Sequence, residues 1–134
     1  MPNRKEHQET GGAVGLLVGC CANILVQADR KRLDPNYQFN MGELAGFGLV
    51  GYAVGSVGGM LPDVLEPAYC PGHRDLFHSV AIGTLAVVGA KKLNDNPSVS
   101  GSLKMAVNAA TAGYVSHLVL DGQTPSSLPL LTRR

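Results

Sequence analysis

The chain has 134 residues and a formal net charge of +1 at pH 7, with 45% hydrophobic and 16% charged residues. This length fits one domain, and the near-zero charge excludes a strong field that would attract nucleic acid or an acidic partner from a distance. Two of the three cysteines, Cys20 and Cys21, are adjacent, so the cysteines indicate no disulfide framework and favour a reducing compartment or a membrane.

Four apolar stretches, separated by polar connectors, predict four helices. They cover residues 11–28, 44–62, 79–90 and 105–120. Ala, Leu, Gly and Met dominate them and β-branched alternation is weak, which favours helices over strands. We therefore predict a single all-α domain, residues 1–134, built as an antiparallel four-helix bundle. A polar segment, residues 1–10, precedes the first helix, and an extended tail, residues 122–134, follows the fourth.

Glycines recur every four residues in the first two stretches. The two rows are Gly11, Gly15 and Gly19 in the first stretch and Gly51, Gly55 and Gly59 in the second. This spacing lines one helix face and lets another backbone approach closely. It predicts glycine-zipper helix packing in a bundle that is embedded in a membrane or associated with one. A small, tightly packed soluble bundle in the cytoplasm is the alternative.

Length and charge leave the membrane topology open. The first two stretches approach the length of about 20 residues that a bilayer crossing requires, and the other two are shorter. Lys and Arg residues divide almost evenly between the two ends of the bundle, so the positive-inside rule gives no orientation. The mean hydropathy is close to zero, which is low for a protein that lies mostly in lipid. The sequence does not decide whether the chain forms a homo-oligomer.

All four histidines fall at one end of the predicted bundle. His7 precedes the first helix, His73 and His78 lie in the second connector, and His117 lies near the end of the fourth helix. An up-down-up-down path brings these three places together. Each histidine alone has an ordinary structural explanation, as a surface residue or a packed core residue. Their joint placement predicts a metal site, because a random scatter would put some at the other end.

Carboxylates accompany these histidines. Asp121 follows His117 by four residues, which places both side chains on one helix face, and Asp63 begins the second connector, where a turn or cap role is the alternative. Cys70 and His73 have C-x-x-H spacing, but one thiol is too few for a structural cluster. Imidazole and carboxylate ligands suit zinc, manganese or iron, and such an ion can activate water for attack on an ester.

Four sequence blocks together resemble the YdjM-like family of membrane-bound metal-dependent hydrolases. The blocks are His7, LPDV at 61–64, GHRDLFHS at 72–79 and GYVSHLVLDGQTPSSLPLL at 113–131. They occur in the family's order, and the last is long and specific. That family is similar to the zinc-dependent phospholipases C and single-strand nucleases, which are helical. The resemblance implies a bacterial-type inner membrane location and metal ligands at His7, Asp63, His78, His117 and Asp121, with His73 as a further ligand or a donor to one.

The chain departs from the family pattern at three places. The family has a second Asp shortly after the LPD motif, whereas here the next acidic residue after Asp63 is Glu66. Asp75 replaces a Gly beside Arg74, and Phe77 replaces a Thr before His78. Glu66 can take the place of the missing Asp, whereas Asp75 partly neutralises Arg74. Larger relatives hold three metals with further histidines, so we expect one or two divalent ions, with zinc preferred.

The leading functional prediction is metal-assisted hydrolysis of a phosphoester, either a lipid head group or a nucleotide type of substrate. Asp63 or Glu66 would take the proton from water, and Arg74 would offset the developing negative charge. The alternative is a non-catalytic membrane or assembly protein in which the ion clamps the helix ends together. Sequence-specific nucleic-acid binding is not expected, since no basic stripe with interleaved aromatic residues is present.

Overall fold

The computed structural model describes residues 3–67, 76–123 and 128. They form four helices, α1 (Arg4–Leu33), α2 (Met41–Leu65), α3 (Val80–Asp95) and α4 (Gly101–Gly122). The described residues contain no strand, so the all-α prediction is confirmed for this part of the chain. Gly122 still belongs to α4, and the rest of the predicted tail lies almost wholly outside the described residues.

Each helix begins after a polar residue whose side chain accepts a hydrogen bond from the first turn. These N-caps are Asn3, Asn40, Ser79 and Ser100. Asn3 forms a capping box, in which its amide donates to the Glu6 carboxylate at 2.7 Å. The first helix therefore starts in the polar segment and contains His7, and the prediction that His7 precedes this helix is wrong. An apolar pattern marks only the nonpolar middle of a helix.

Three helices, α1, α2 and α4, pack against one another, whereas among the described helices α3 contacts only α4. The glycine rows of α1 and α2 face each other in antiparallel order, with Gly11 against Gly55 and Gly59. A Cβ atom on Gly11 would lie only 2.6 Å from the carbonyl oxygen of Gly55. Gly113 of α4 approaches the same carbonyl. Three backbones therefore meet at a point that admits no larger side chain.

The described helices bury several polar side chains and leave many large aliphatic side chains exposed, which is unusual for a soluble domain. The largest fully buried side chains are His78, His117, Gln27, Asn23, Asp121, Pro62 and Ser79. Large aliphatic side chains face outward on several helices, with Leu25 and Leu49 each 69% exposed. By length and composition, α1 and α2 are each able to cross a membrane.

A hydrogen-bonded cluster, the far-end network, fixes the connector between α1 and α2. It consists of Asn23, Gln27, Tyr37, Asn40 and Glu43. The Gln27 side-chain amide donates to Asn23 and to the Asn40 carbonyl, and its oxygen accepts from the Asn40 amide and the Tyr37 hydroxyl. Asn23 donates to Glu43 at 3.1 Å. Buried amides at this end are thus paired within the chain.

Candidate metal centre

Five side chains from four segments converge at the other end of the bundle. This histidine–aspartate cluster consists of His7, Asp63, His78, His117 and Asp121. The first comes from α1, the second from the last turn of α2, the third from the turn before α3, and the last two from α4. All three imidazoles and Asp121 are buried, whereas the Asp63 side chain is 25% exposed. The predicted gathering of these residues is therefore observed in the described residues.

The ring of His117 is oriented by the backbone of α2. Its Nδ1 lies 2.7 Å from the carbonyl oxygen of Gly59. Because a carbonyl can only accept, Nδ1 carries the hydrogen, and in the neutral ring Nε2 presents a lone pair. This Nε2 is buried without a hydrogen bond among the described residues. It faces acceptor oxygens, 3.5 Å from Asp121 Oδ2 and 3.7 Å from Asp63 Oδ1.

A lone pair that faces carboxylates in a buried site is unfavourable unless a cation or a proton lies between them. His7 adds a second imidazole at the same place. Its ring stacks on His117 with the centroids 3.7 Å apart, and its Nε2 lies 3.4 Å from Asp121 Oδ1. Its Nδ1 is buried and forms no hydrogen bond within the described part of the chain. His117 Nε2 and His7 Nδ1 are thus two buried ring nitrogens for which the described residues provide no hydrogen bond.

His78 is oriented by Glu66. Its Nδ1 lies 3.0 Å from Glu66 Oε2, and its Nε2 lies 3.4 Å from Asp63 Oδ1 and 3.8 Å from Asp121 Oδ2. Burial alone would lower the pKa of His78, but hydrogen bonds with Asp63 and Glu66 and the charge of Asp121 raise it above its ordinary value. A carboxylate behind a histidine ring fixes the ring's orientation and makes the opposite nitrogen a better ligand.

The turn that carries His78 is held from two sides. The Glu66 carboxylate accepts from the amides of Leu76, Phe77 and His78 at 2.7, 3.0 and 3.3 Å. The Tyr114 hydroxyl of α4 donates to the Phe77 carbonyl. Burial raises the pKa of Glu66, but the hydrogen bonds that its carboxylate forms with the His78 ring and with the three amides outweigh burial and hold that pKa below its usual value. The structure therefore directs the described contacts of Glu66 toward the turn and the back of the His78 ring.

The donor set fits one divalent ion. Two triads have ligand atoms within 4.8 Å of one another, His7 with Asp63 and His117, and His78 with His117 and Asp121. Ligand bonds of about 2.0–2.1 Å in a tetrahedral site place neighbouring ligand atoms about 3.3 Å apart, close to the observed 3.4–3.8 Å. Both triads share His117, which offers a single nitrogen because Gly59 occupies the other.

Two predicted site residues, His73 and Arg74, lie outside the described residues, as does Cys70. Their assigned roles stay predictions. Two contributions were missed by sequence reasoning, the Gly59 carbonyl and the Tyr114 hydroxyl. Gly59 was interpreted only as a member of the packing row, and Tyr114 lies in the matched block 113–131 without an assigned role. The position of Tyr114 three residues before His117 on one helix was the available signal.

Comparisons of the chain with protein families, with curated proteins and with solved structures found no match. Function is therefore inferred from the geometry and chemistry of the cluster itself.

Proposed function

We propose that the chain is a membrane-embedded, metal-dependent phosphoester hydrolase of the YdjM-like type. One observation carries the proposal: the buried Nε2 of His117 faces two carboxylates while Gly59 holds the opposite nitrogen. Hydrogen bonds among the described residues leave that arrangement unsatisfied, and a divalent cation would satisfy it.

The cluster would hold one ion, with zinc preferred and manganese or iron as alternatives. His78, His117 and Asp121 form one of the triads and would supply three ligands, which leaves the fourth tetrahedral position for water. Asp63 lies beside that position, and His7 stacks on His117 within reach of Asp121. A bound ion of this kind lowers the pKa of a coordinated water towards about 7 and so supplies a nucleophile at neutral pH. One ion rather than two is favoured because the two candidate triads depend on the same nitrogen of His117.

The remaining roles follow from exposure and contacts. Asp63 is the one carboxylate of the cluster with a partly exposed side chain, so it is placed to take the proton from water and to pass it to solvent. Glu66 instead orients His78 through its hydrogen bond to Nδ1. We retain Arg74 as the residue that would offset charge on the phosphate, on the strength of the sequence pattern.

A membrane location is supported by the distribution of polarity. Apolar side chains cover the outside of the helices and glycine contacts draw the backbones together. Small residues and van der Waals packing hold helices together where lipid removes the hydrophobic drive to associate. We propose glycine-zipper packing in a bacterial-type inner membrane, with the cluster near one interface.

A structural ion is the second candidate, and the complete burial of His78, His117 and Asp121 favours it. The ion would then clamp four chain segments and add to folding stability. The partial exposure of Asp63 favours hydrolysis, since a purely structural site is closed by protein ligands. Zinc K-edge X-ray absorption on the loaded protein separates the two, because an oxygen ligand from water is expected only for the hydrolase.

The test of the metal site is elemental analysis of protein purified in detergent, with the variant His117→Ala. We expect about one zinc per wild-type chain and almost none in the variant. Asn23→Ala is the matched control, because it removes a buried polar side chain from the far-end network and leaves the cluster intact. Equal zinc content in wild type and His117→Ala, or none in wild type reconstituted with zinc, manganese and iron in turn, would refute the proposal.

The catalytic part is tested by hydrolysis of bis(p-nitrophenyl) phosphate and of a phospholipid by the zinc-loaded protein. Asp63→Asn should lose most of the rate, about 10²–10⁴-fold for a general base. A zinc-loaded protein that hydrolyses neither compound would leave the structural clamp as the function.

A further inference from the structure

An apolar groove runs along the line where α3 contacts α4. Toward the metal centre the groove has a volume of about 380 Å³. Its lining is chiefly aliphatic, with Val80, Val87, Val115 and Leu118 from α3 and α4 and Leu128 from beyond α4, and it includes two glycines, Gly83 and Gly122. The hydroxyl of Thr84, also on this wall, donates back to the Val80 carbonyl at 2.9 Å. The groove therefore offers a ligand almost nothing but hydrocarbon.

A second cavity, of about 360 Å³, continues this groove away from the metal centre. Val87 and Val115 line both cavities. At the far end Asn94 and Asn108 exchange two side-chain hydrogen bonds of 2.8 and 3.2 Å, which tie α3 to α4. The turn held by Glu66 and Tyr114 fixes α3 at the other end. Helix α3 is thus fastened at both ends, and the groove between is apolar toward the metal centre, whereas its second cavity also has Lys91 and Thr111 in the lining.

The groove starts beside the metal centre. Val80 follows the turn that carries His78, and Leu118 and Gly122 each follow a cluster residue, His117 and Asp121. From Val80 to Asn94 the helix spans about 21 Å at about 1.5 Å per residue. One leaflet of a bilayer has about half of the ~30 Å hydrocarbon thickness. An acyl chain that crosses one leaflet therefore fits within the groove.

We infer that the groove between α3 and α4 binds one acyl chain of a phospholipid substrate whose phosphate lies at the metal centre. This inference rests on the proposed function and decides between its two substrate types, because a nucleotide has no use for an apolar groove of this length. The outward aliphatic surfaces of the neighbouring helices place lipid beside the groove. Among the described helices α3 touches α4 alone, so no further described helix covers the groove, and of the described residues beyond α4 Leu128 is part of its lining.

The test uses protein in phosphatidylcholine nanodiscs that contain a phosphatidylglycerol probe with a diazirine at the end of one acyl chain. After illumination, peptide mass spectrometry locates the label. We expect label on the groove faces of α3 and α4, above that on the outward Leu17 and Leu25 of α1. Uniform labelling of all outward apolar faces would overturn the inference. It would also be overturned if the groove stayed unlabelled and the protein eluted as a dimer, because a second copy of the chain would then cover the groove.

A matched pair of variants fills or spares the groove. A Cβ atom on Gly83 would contact the flexible end of Leu118 at 2.5 Å, whereas one on Gly89 of the same helix meets no atom within 4 Å. Gly83→Leu should reduce groove labelling by about ten-fold, the loss that corresponds to two methylenes denied burial, and Gly89→Leu should leave it unchanged. Circular dichroism and zinc content check that both variants are folded. Equal labelling of the two variants contradicts the inference.

The head group is tested with a diacylglycerol probe that has the same diazirine tail and no phosphate. If the metal centre holds the phosphate, the phosphatidylglycerol probe labels the groove more strongly than the diacylglycerol probe, and His117→Ala abolishes that difference. Groove labelling without any head-group preference would mean that bulk lipid fills the groove, and the substrate assignment would then fail. Zinc binding without groove labelling would leave the hydrolase proposal standing and remove this inference alone.

Discussion

The two ends of the helical bundle both bury polar side chains, but they treat them differently. At the far-end network the Gln27 amide uses both its nitrogen and its oxygen, with partners in the backbone and on two side chains. At the histidine–aspartate cluster His117 uses one ring nitrogen and leaves the other buried without a hydrogen bond among the described residues. Equal burial therefore goes with complete satisfaction at one end and with an unmet requirement at the other.

This difference separates a structural polar cluster from a ligand site more sharply than residue type does. A satisfied buried network fixes local structure and has no need of a ligand. A cluster whose donors and acceptors do not match each other is stable only if something else completes it. The two ends should therefore respond oppositely to metal and to substitution.

Removal of metal should have the largest effect, and only at one end. Because the ion would join segments from α1, α2, α4 and the turn before α3, its binding contributes to folding free energy. At free zinc 1,000-fold above the dissociation constant the contribution is about 4.1 kcal/mol. Hydrogen exchange with and without a chelator measures it. Amides near His78 and Asp121 should lose protection when the chelator is present, and those near Gln27 should keep most of theirs. An equal loss of protection at both ends would contradict the proposed difference between them.

Substitution in the far-end network should give the reverse result. Gln27→Ala removes the donor to the buried side-chain oxygen of Asn23 and the acceptor of the Asn40 backbone amide, and the unsatisfied buried oxygen of Asn23 costs about 1–3 kcal/mol. Thermal unfolding should occur at a lower temperature, while the zinc content of the folded protein is unchanged. A loss of zinc in this variant would mean that the two ends are coupled.

Glu66→Gln should weaken metal binding without removing a ligand. The substitution keeps the shape of the side chain but takes away the charge that orients His78 and anchors the amides of its turn. Loss of a carboxylate behind a ligating histidine typically lowers metal affinity by about 10–100-fold. Competition with a chromophoric zinc chelator measures the change. Glu43→Gln, which alters a carboxylate in the far-end network, is the control and should keep wild-type affinity.

The gathering of the cluster followed from sequence because chain direction alone determines which connectors meet. Asp63, His78 and His117 come together in any up-down-up-down path, whatever the details of packing. The first residue of α1 could not be predicted in this way. It depends on a capping box in a polar segment, and a pattern of apolar residues gives no information about such a segment.

Contacts that depend on local geometry were also beyond the sequence pattern. The hydrogen bonds of Glu66 to three successive amides require the shape of the turn at residues 76–78, which no spacing rule specifies. The isolation of α3 was missed for a similar reason. Periodicity shows that a helix has an apolar face, but it does not show which helix that face will contact.

The smallest predicted effect separates the two ends through a matched pair of hydroxyl deletions. Tyr114→Phe removes a donor to the Phe77 carbonyl beside His78, and Tyr37→Phe removes a donor to Gln27 in the far-end network. Each should lower stability by about 1 kcal/mol, the usual net value of one hydrogen bond. Only Tyr114→Phe should also weaken zinc binding, because the turn that it releases carries a ligand. Zinc titration of both variants decides this, and equal affinities would show that Glu66 alone holds the turn.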